Sequence, residues 1–262
     1  MLSTGDTHVN SAREPLISRS TDWLGQDDPT LTSLLQEGDL SLEGLISWSS
    51  NFVFLGHVQR ADTILQVVYK PVRGERPLAD FPTGTLAARE VAAFVLDRLL
   101  GWHLVPPTVM REGEYGAGSV QLFLPVDQEA HYFTFRDDHS FRSAFMTLVT
   151  FDIIANNADR KSGHCLRYGS RRIIAIDHGL CFHTGPKLRS VIWDFAGLMV
   201  PRSVLSAVRR LLDEWSSASA RLAPYLTVDE LDALRARTEA LLASRRFPHP
   251  PADRRPYPWP PI

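Results

Sequence analysis

The stretch between Phe151 and Phe182, FDIIANNADRKSGHCLRYGSRRIIAIDHGLCF, constrains the fold more than any other part of the chain. Apolar residues at helical spacing run into it from FRSAFMTLVT and predict a helix that ends near Asn157. The segments GHCLRY and RRIIAID then predict a β-hairpin with a two-residue turn at Gly169-Ser170. The stretch therefore predicts a helix followed by a rigid hairpin, with a cluster of polar residues between them.

The expected turn fixes the register of this hairpin. With a two-residue turn, Tyr168 pairs with Arg171, and counting back from that pair places His164 opposite Ala175. The residues that flank the two strands on the chain are then brought together at the open end of the hairpin.

Asp159, His164 and Asp177 lie at this open end. One of the two acids can hold a divalent cation through its oxygen atoms, and the other can orient or deprotonate an attacking hydroxyl group. Arg160 and Lys161 directly follow the first acid, where their charges can balance phosphate. The alternative is that Asp159 caps a turn and Asp177 ends a strand, both in solvent. The complete pattern favours a phosphate-handling site.

Composition places the chain among ordinary globular proteins. It has 262 residues, 44% hydrophobic and 22% charged, with a formal net charge of -2, so no overall basic field indicates nucleic acid as a partner. Two cysteines, Cys165 and Cys181, make no disulfide framework and favour a reducing compartment. No signal peptide or transmembrane segment is recognisable. We therefore expect a soluble, cytoplasmic protein.

The first half predicts a small sheet with one helix. LTSLLQEGDLSLEG predicts a short helix and a turn, LISWSSNFVFLGHV two short strands, and TILQVVYK a third strand that ends at Lys70. TLAAREVAAFVLDRLLG is the clearest helix and carries Glu90, and WHLVPPTVMRE and SVQLFLPV are predicted strands. A strand lysine paired with a helix glutamate is an arrangement that phosphoryl transfer uses. Taken singly, each of these two residues is as readily explained as a solvated surface group.

The second half predicts mainly helices. VIWDFAGLM, SVLSAVRRLLDEWSSA and VDELDALRARTEALLAS are predicted as helical. The tail FPHPPADRRPYPWPPI is too rich in proline to pack and is expected to be a disordered, extended polyproline segment. We divide the chain into a flexible N-terminal segment (1–29), an N-lobe (30–125), a C-lobe with the catalytic and metal-binding segments (126–247) and the Pro-rich tail (248–262).

Four blocks, in the order VVYKP, REVAAFVLDRLLGWHLVPPT, NNADRKSGHCL and IAIDHG, carry a resemblance to a known family. They resemble the phosphatidylinositol 3- and 4-kinase-like branch of the protein-kinase-like superfamily, with type II phosphatidylinositol 4-kinases and related uncharacterised bacterial proteins as the closest likeness. The toxin kinase HipA and the secretory-pathway FAM20 kinases are more distant likenesses. The similarity covers residues 45–198. It implies an α+β, two-lobed kinase-like fold with a β-rich N-terminal lobe, a mainly helical C-terminal lobe and ATP between them.

The resemblance also implies roles for individual residues. Lys70 would contact the α- and β-phosphates and pair with Glu90, and Asp159 would be the catalytic-loop acid. Asp177, which stands where the aspartate of a DFG motif stands, would bind the metal with help from His164.

Further residues would bind the nucleotide. The turn that would cover the phosphates, in place of a Gly-rich loop, consists of Ser49, Ser50 and Asn51. The segment that leads into the hinge and the adenine pocket contains Gln121, Leu122, Phe123 and Leu124.

The sequence departs from the family pattern at two places. His164 occupies a position that is usually an asparagine ligand, and Mg²⁺ prefers oxygen to nitrogen, so both Mg²⁺ and Mn²⁺ are retained as candidates. The DFG motif reads Asp177-His178-Gly179. We predict an ATP- and metal-dependent phosphotransferase whose acceptor is a lipid, a protein or a small molecule.

Three other functions stay open at this point. A pseudokinase or scaffold would bind nucleotide without turnover, and His164 is the best support for it. A nucleotidyltransferase could bind ATP on the same fold. A zinc protein could use the histidines and cysteines near the hairpin, but their spacing has no CxxC motif and Cys165 should face away from His164.

Overall fold

The computed structural model describes residues 29–46 and 51–262. The expected flexible segment at the N-terminus, and Ser49 and Ser50 of the expected phosphate-covering turn, lie outside these residues. The helices and strands are, in chain order, α1 (Pro29–Glu37), β1 (Asp39–Leu45), β2 (Phe54–Arg60), β3 (Thr63–Pro71), α2 (Leu86–Leu100), β4 (Thr108–Gly113), β5 (Gly116–Leu122), α3 (Tyr132–Phe135), α4 (Arg142–Ala155), β6 (Cys165–Tyr168), β7 (Arg172–Ala175), α5 (Arg202–Asp213), α6 (Trp215–Leu222) and α7 (Val228–Ser244).

The N-terminal half is an antiparallel five-stranded sheet in the order β1-β2-β3-β5-β4. Alternation along β3 buries Leu65, Val67 and Tyr69 in a core that includes residues of α1. Since neighbouring side chains of a strand point to opposite faces, Lys70 lies on the other face of the sheet. The helix α2 packs against β4 and β5 and ends at Gly101, whose φ of 70° is the left-handed conformation that suits glycine at a helix end.

The C-terminal half is mainly helical and is built around a large apolar cluster. The cluster includes Phe145 and Phe151 of α4, Val208 of α5 and Leu234 of α7. This half and the sheet confirm the predicted α+β, two-lobed architecture. Among the described residues, no helix has both the length and the apolar character needed to cross a bilayer.

Two strands differ from the sequence prediction. The strand β1 begins at Asp39, in a segment that was predicted to be a turn, and most of its residues are exposed. It is an edge strand with one partner, β2, and its Leu40 and Leu42 are only partly buried against the N-terminal core, so its apolar pattern in the sequence is short. The segment WHLVPP is not a strand, since β4 begins at Thr108. Pro106 and Pro107 cannot donate to a ladder, which explains the late start.

The register predicted for the hairpin β6-β7 is wrong by one residue. Tyr168 pairs with Arg172, and Cys165 rather than His164 pairs with Ala175. The turn therefore contains three residues and includes Gly169, with a φ of 63°. A glycine in the left-handed conformation is usual in three-residue hairpin loops.

The segment VIWDFAGLM is not helical. Its backbone runs beside the residues that follow α4, where the Val191 amide donates to the Arg160 carbonyl at 3.1 Å. Ile192 and Phe195 are buried, so the apolar spacing that suggested a helix is used by an irregular segment. Contacts between distant parts of the chain override the local pattern here.

The prediction that the Pro-rich tail does not pack is also wrong. The Pro256 carbonyl accepts hydrogen bonds from the Ser190 amide at 3.0 Å and from the Trp193 indole at 3.2 Å. Near the chain end, the Pro261 carbonyl accepts from the Ser162 amide at 2.8 Å. Proline lacks a donor but keeps its carbonyl acceptor, so a Pro-rich segment can satisfy the donors of neighbouring loops.

Candidate active site

Lys70 connects the two halves of the molecule. It lies near the end of β3, and its ammonium group contacts the Glu90 carboxylate on α2 and Oδ1 of Asp177, the latter at 3.1 Å. Glu90 is buried, and its second oxygen accepts a hydrogen bond from the His178 amide at 2.9 Å. Glu90 is thus held by a residue from each half. Burial alone would lower the pKa of Lys70, but Asp177 and Glu90 together raise it above its usual value.

Asp177 follows β7 and projects into the space between the halves. Its φ of 59° is in the left-handed region, which aspartate enters more readily than most residues. The side chain is 50% exposed, with Lys70 on one oxygen and Nε2 of His164 at 3.3 Å from the other. The positive charge of Lys70 lowers the pKa of Asp177 far below its usual range. This carboxylate is therefore ionised and open on one side.

His164 presents a nitrogen lone pair to Asp177. Its Nδ1 lies 2.9 Å from the carbonyl oxygen of Asp159; we assign the ring proton to this nitrogen because a carbonyl can only accept. Burial lowers the pKa of His164 to about 4, so the ring is neutral near pH 7. Nε2 of His164 and Oδ2 of Asp177 then face each other as two acceptors, an arrangement that a cation between them would stabilise.

The donor set fits a divalent metal only in part. Within residues 29–46 and 51–262, no three His, Cys, Asp or Glu side chains converge into a metal site. Asp177 and His164 supply two ligands, so nucleotide phosphate oxygens and water would have to complete the coordination. Sites of this incomplete kind are usual for metals that act on nucleotides.

Asp159 has the properties of a general base. Burial raises its pKa to about 6, and Asp177 adds to the effect, whereas Lys161, at 3.5 Å from Oδ2, opposes it. Its backbone amide donates to Oδ1 of Asn157 at 2.9 Å, which fixes the loop. A carboxyl group with a pKa close to the working pH can take up and release a proton efficiently.

Arg160 does not face the cleft, so the expectation that it balances phosphate is wrong. Its side chain is fully buried and donates to Asp152 and to the carbonyl oxygens of His164 and Ile176. It also lies 2.8 Å from Nε2 of His178. Arg160 therefore ties α4 to the segments on either side of the hairpin. Lys161 is partly exposed and keeps its ammonium group near Asp159.

Sequence reasoning missed Arg89, which holds α2 in place. This arginine is buried, and it contacts the Glu230 carboxylate on α7 and the Cys181 carbonyl. Glu230 also closes a capping box with Thr227 at the start of α7. Arg89 directly precedes Glu90 in the sequence, but its partners are too distant along the chain for any local pattern to indicate them.

The expected nucleotide-binding residues do not all lie on the Lys70 face of the sheet. Gln121 shares the Lys70 face of the sheet, because Lys70 pairs with Ser119 two residues earlier on β5; its amide donates to Thr108 at 2.8 Å. Leu122 and Leu124 are buried in the N-terminal core instead.

Two further members of this set are engaged in local contacts. The Phe123 amide donates to the Gln66 carbonyl at 2.9 Å, and Oδ1 of Asn51 accepts from the Arg76 amide at 3.0 Å. The Asn51 contact fixes the start of β2 against the loop after β3. Neither contact reaches the Lys70–Asp177 cluster.

The cysteines do not support a zinc site. Cys165 and Cys181 are buried in the apolar cluster of the C-terminal half, and burial raises the pKa of the Cys165 thiol to about 12. Zinc binds the thiolate form, which this environment disfavours.

The chain has a kinase-like fold. The structure is similar to that of the Golgi casein kinase with Mn/ADP bound, with a TM-score of 0.56 and 17% identity over 82% of this chain and 74% of that chain. It is also similar to hydra Fam20 with sugar, with a TM-score of 0.54 and 17% identity over 84% of this chain and 89% of that chain. At such identities the similarity shows the fold.

A sequence relative shows the family. The chain is 36% identical to Protein Rv2133c of Mycobacterium tuberculosis (strain ATCC 25618 / H37Rv) over 262 residues, covering 87% of this chain and 94% of that protein. The chain therefore belongs to the same family as Protein Rv2133c. No protein-family model matches the sequence.

Proposed function

We propose that this protein is an ATP- and divalent-metal-dependent phosphotransferase. The observation that carries the proposal is the contact of Lys70 with both Glu90 and Asp177, which joins a strand and a helix of the first half to the segment after β7. Kinases use a strand lysine, a helix glutamate and a metal-binding aspartate in these roles. The similarity to the Golgi casein kinase, solved with Mn/ADP, supports nucleotide and metal as the ligands.

Each residue of the cluster has a distinct part in the proposed mechanism. Asp177 and His164 would hold the metal, which when bound neutralises charge on the phosphates. Lys70, held in place by Glu90, would bind phosphate oxygens. Asp159 would orient the acceptor hydroxyl and take its proton. Such a site accelerates the reaction mainly by positioning its groups and by neutralising charge.

The finer assignment to the phosphatidylinositol 3-/4-kinase-like type is supported by the four sequence blocks alone. Within the proposal, Gln121 is the best placed of the expected nucleotide-binding residues, because it lies on the Lys70 face of the sheet. The buried Leu122 and Leu124 would act through the backbone or as packing residues.

A nucleotide-binding pseudokinase is the second candidate, and His164 in the usual asparagine position favours it. Hydrolysis of ATP labelled at the α- or γ-phosphate separates the possibilities, since water can act as a slow acceptor. We expect ADP and labelled inorganic phosphate with Mn²⁺ or Mg²⁺, and loss of this product in Asp159→Asn. Release of AMP and pyrophosphate would indicate nucleotidyl transfer. No hydrolysis with either metal would favour the pseudokinase.

A further inference from the structure

A groove of about 610 Å³ lies between the Pro-rich tail and the body of the C-terminal half. Its walls combine aromatic rings with charged groups. We call it the tail groove; the residues that matter here are Phe133, Arg136, Trp193, Asp194, Arg255 and Trp259.

Backbone hydrogen bonds join this groove to the loop that carries Asp159. Val191, which lines the groove, donates to the carbonyl of Arg160 at 3.1 Å. Pro261, on the tail side, accepts from the amide of Ser162 at 2.8 Å. The groove is therefore directly connected to residues on the chain just after the proposed general base.

The aromatic rings of the tail are not what anchors it. The tail is held by its carbonyls, at Pro256 and Pro261, whereas Tyr257 and Trp259 remain 48% and 74% exposed. Phe133, across the groove, is also exposed. Several large rings left exposed around one concave site are typical of a surface that binds a ligand.

The charged groups add polar recognition to these rings. The Arg136 guanidinium lies over the Phe133 ring at 5.9 Å, and the Arg255 guanidinium lies over the Trp259 ring at 5.2 Å. A guanidinium stacked on a ring presents its donors at its edge, where they can bind an anion; Nε of Arg136 also lies 4.0 Å from Oδ2 of Asp137. Asp194 is exposed and accepts a hydrogen bond from the Tyr132 hydroxyl with one oxygen, and its second oxygen is a further acceptor that a ligand hydroxyl could use.

We propose that the tail groove is the acceptor site, and that it takes a small ring-shaped polyol with a negative charge, such as a sugar phosphate or a sugar acid. The hydroxyl follows from the proposed phosphotransferase function, on which this inference rests. The negative charge follows from Arg136 and Arg255, and the ring from the aromatic walls, which can stack on its C–H face. The volume of about 610 Å³ suits a small molecule.

Titration calorimetry on the full chain without ATP tests this binding. The probes are glucose 6-phosphate and glucuronate, with glucose as the neutral control. We expect at least one anionic probe to bind about tenfold more tightly than glucose. Arg136→Ala and Arg255→Ala should each weaken that binding about tenfold. Arg254→Ala should leave it within about twofold, because Arg254 contacts Asp253 and does not line the groove.

Two results would overturn the inference: no preference of either anionic probe over glucose, or equal effects of the Arg254 and Arg255 substitutions. ATP binding provides the separate test of the underlying function. Suppose that ATP and metal stabilise Arg255→Ala as much as the wild type, but that neither anionic probe binds. The phosphotransferase proposal then stands, and the acceptor site is elsewhere. If the wild-type protein binds a probe but not ATP, the groove is a binding site and its assignment as an acceptor site is wrong.

Discussion

If His164 is a metal ligand, as we propose, it sets this site apart from one built only of oxygen ligands. Its Nε2 points at Asp177 because Nδ1 is engaged by the carbonyl of Asp159. Mg²⁺ prefers oxygen ligands and sheds water reluctantly, whereas first-row transition cations such as Mn²⁺ bind imidazole nitrogen more readily. The residue therefore bears on which metal the site accepts.

For the wild-type protein we expect ATP with Mn²⁺ to raise the unfolding temperature more than ATP with Mg²⁺ does. In His164→Asn, which supplies an oxygen ligand instead, the advantage of Mn²⁺ should shrink or reverse. Thermal unfolding with each metal measures this, and His139→Asn, at an exposed histidine, is the control. An unchanged preference in His164→Asn would show that this residue does not contact the metal.

The raised pKa of Asp159 links the protonation of this carboxyl group to the stability of the fold. The folded carboxyl has a pKa of about 6 against the usual 3.8, so between these values the folded state binds more protons than the unfolded state. The stability contributed by this group is therefore present at low pH and is lost as the pH rises through about 6. At neutral pH the ionised carboxylate destabilises the fold.

Asp159→Asn should accordingly be more stable than the wild type at pH 7.5, by roughly 1–3 kcal/mol. The difference should fall towards zero near pH 4, while turnover of the variant is lost at every pH. Denaturant unfolding of both proteins across this range isolates the group, since the other titrating residues are common to both. A constant difference, or a less stable variant at pH 7.5, would mean that Asp159 is not buried as described.

At the scale of elements, α2 is the part whose position the site depends on most. Glu90 meets Lys70 only if α2 stays where Arg89 holds it, through Glu230 on α7 and the carbonyl of Cys181. This contact ties a helix of the first half to the last helix of the second. The Lys70–Glu90 pair is therefore already formed in this structure.

Arg89→Ala should lower the free energy of unfolding by about 3–5 kcal/mol, because it leaves a buried carboxylate without its partner, and should reduce the stabilisation by ATP. Arg235→Ala breaks an exposed pair with Glu239 on α7 and should cost no more than about 0.5 kcal/mol. If Arg89→Ala does not fold, Arg89→Lys keeps the charge and reports on ATP binding. Similar losses for the Arg89 and Arg235 variants would count against the proposed anchor.

Sequence predicted the elements that carry a strong local pattern. The segment of α2 is rich in apolar residues and is followed by Gly101. The order of their sequence blocks placed Lys70, Glu90 and Asp177 in one site. The hairpin register failed because one extra turn residue shifts every pair. The grouping of His164 and Asp177 survived this shift because both lie just outside the paired strands.

Long-range contacts account for the remaining differences. Arg160 looked like a phosphate ligand because of its neighbours, but it pairs with Asp152, eight residues earlier on α4, and is buried in the interior. The tail was predicted to be disordered because it is rich in proline, yet loops elsewhere donate hydrogen bonds to its carbonyls. Neither outcome is encoded in a local pattern.

In the whole molecule, we propose that a nucleotide and a metal bind between the β-sheet half and the helical half. The two halves meet at Lys70, Glu90 and Asp177. A ligand that binds Lys70 and Asp177 only in the folded state stabilises that state. At about 100 times its Kd, it should add roughly 2.7 kcal/mol to the free energy of unfolding.

The most direct test is thermal unfolding of the wild type and of Asp177→Asn with ATP, with and without Mn²⁺ or Mg²⁺. Asparagine has the same size and tolerates the positive φ at this position, so the variant should fold. We expect ATP with metal to raise the unfolding temperature of the wild type, and we expect no such increase in Asp177→Asn. An equal increase in both proteins, or none in the wild type with either metal, would contradict the proposal.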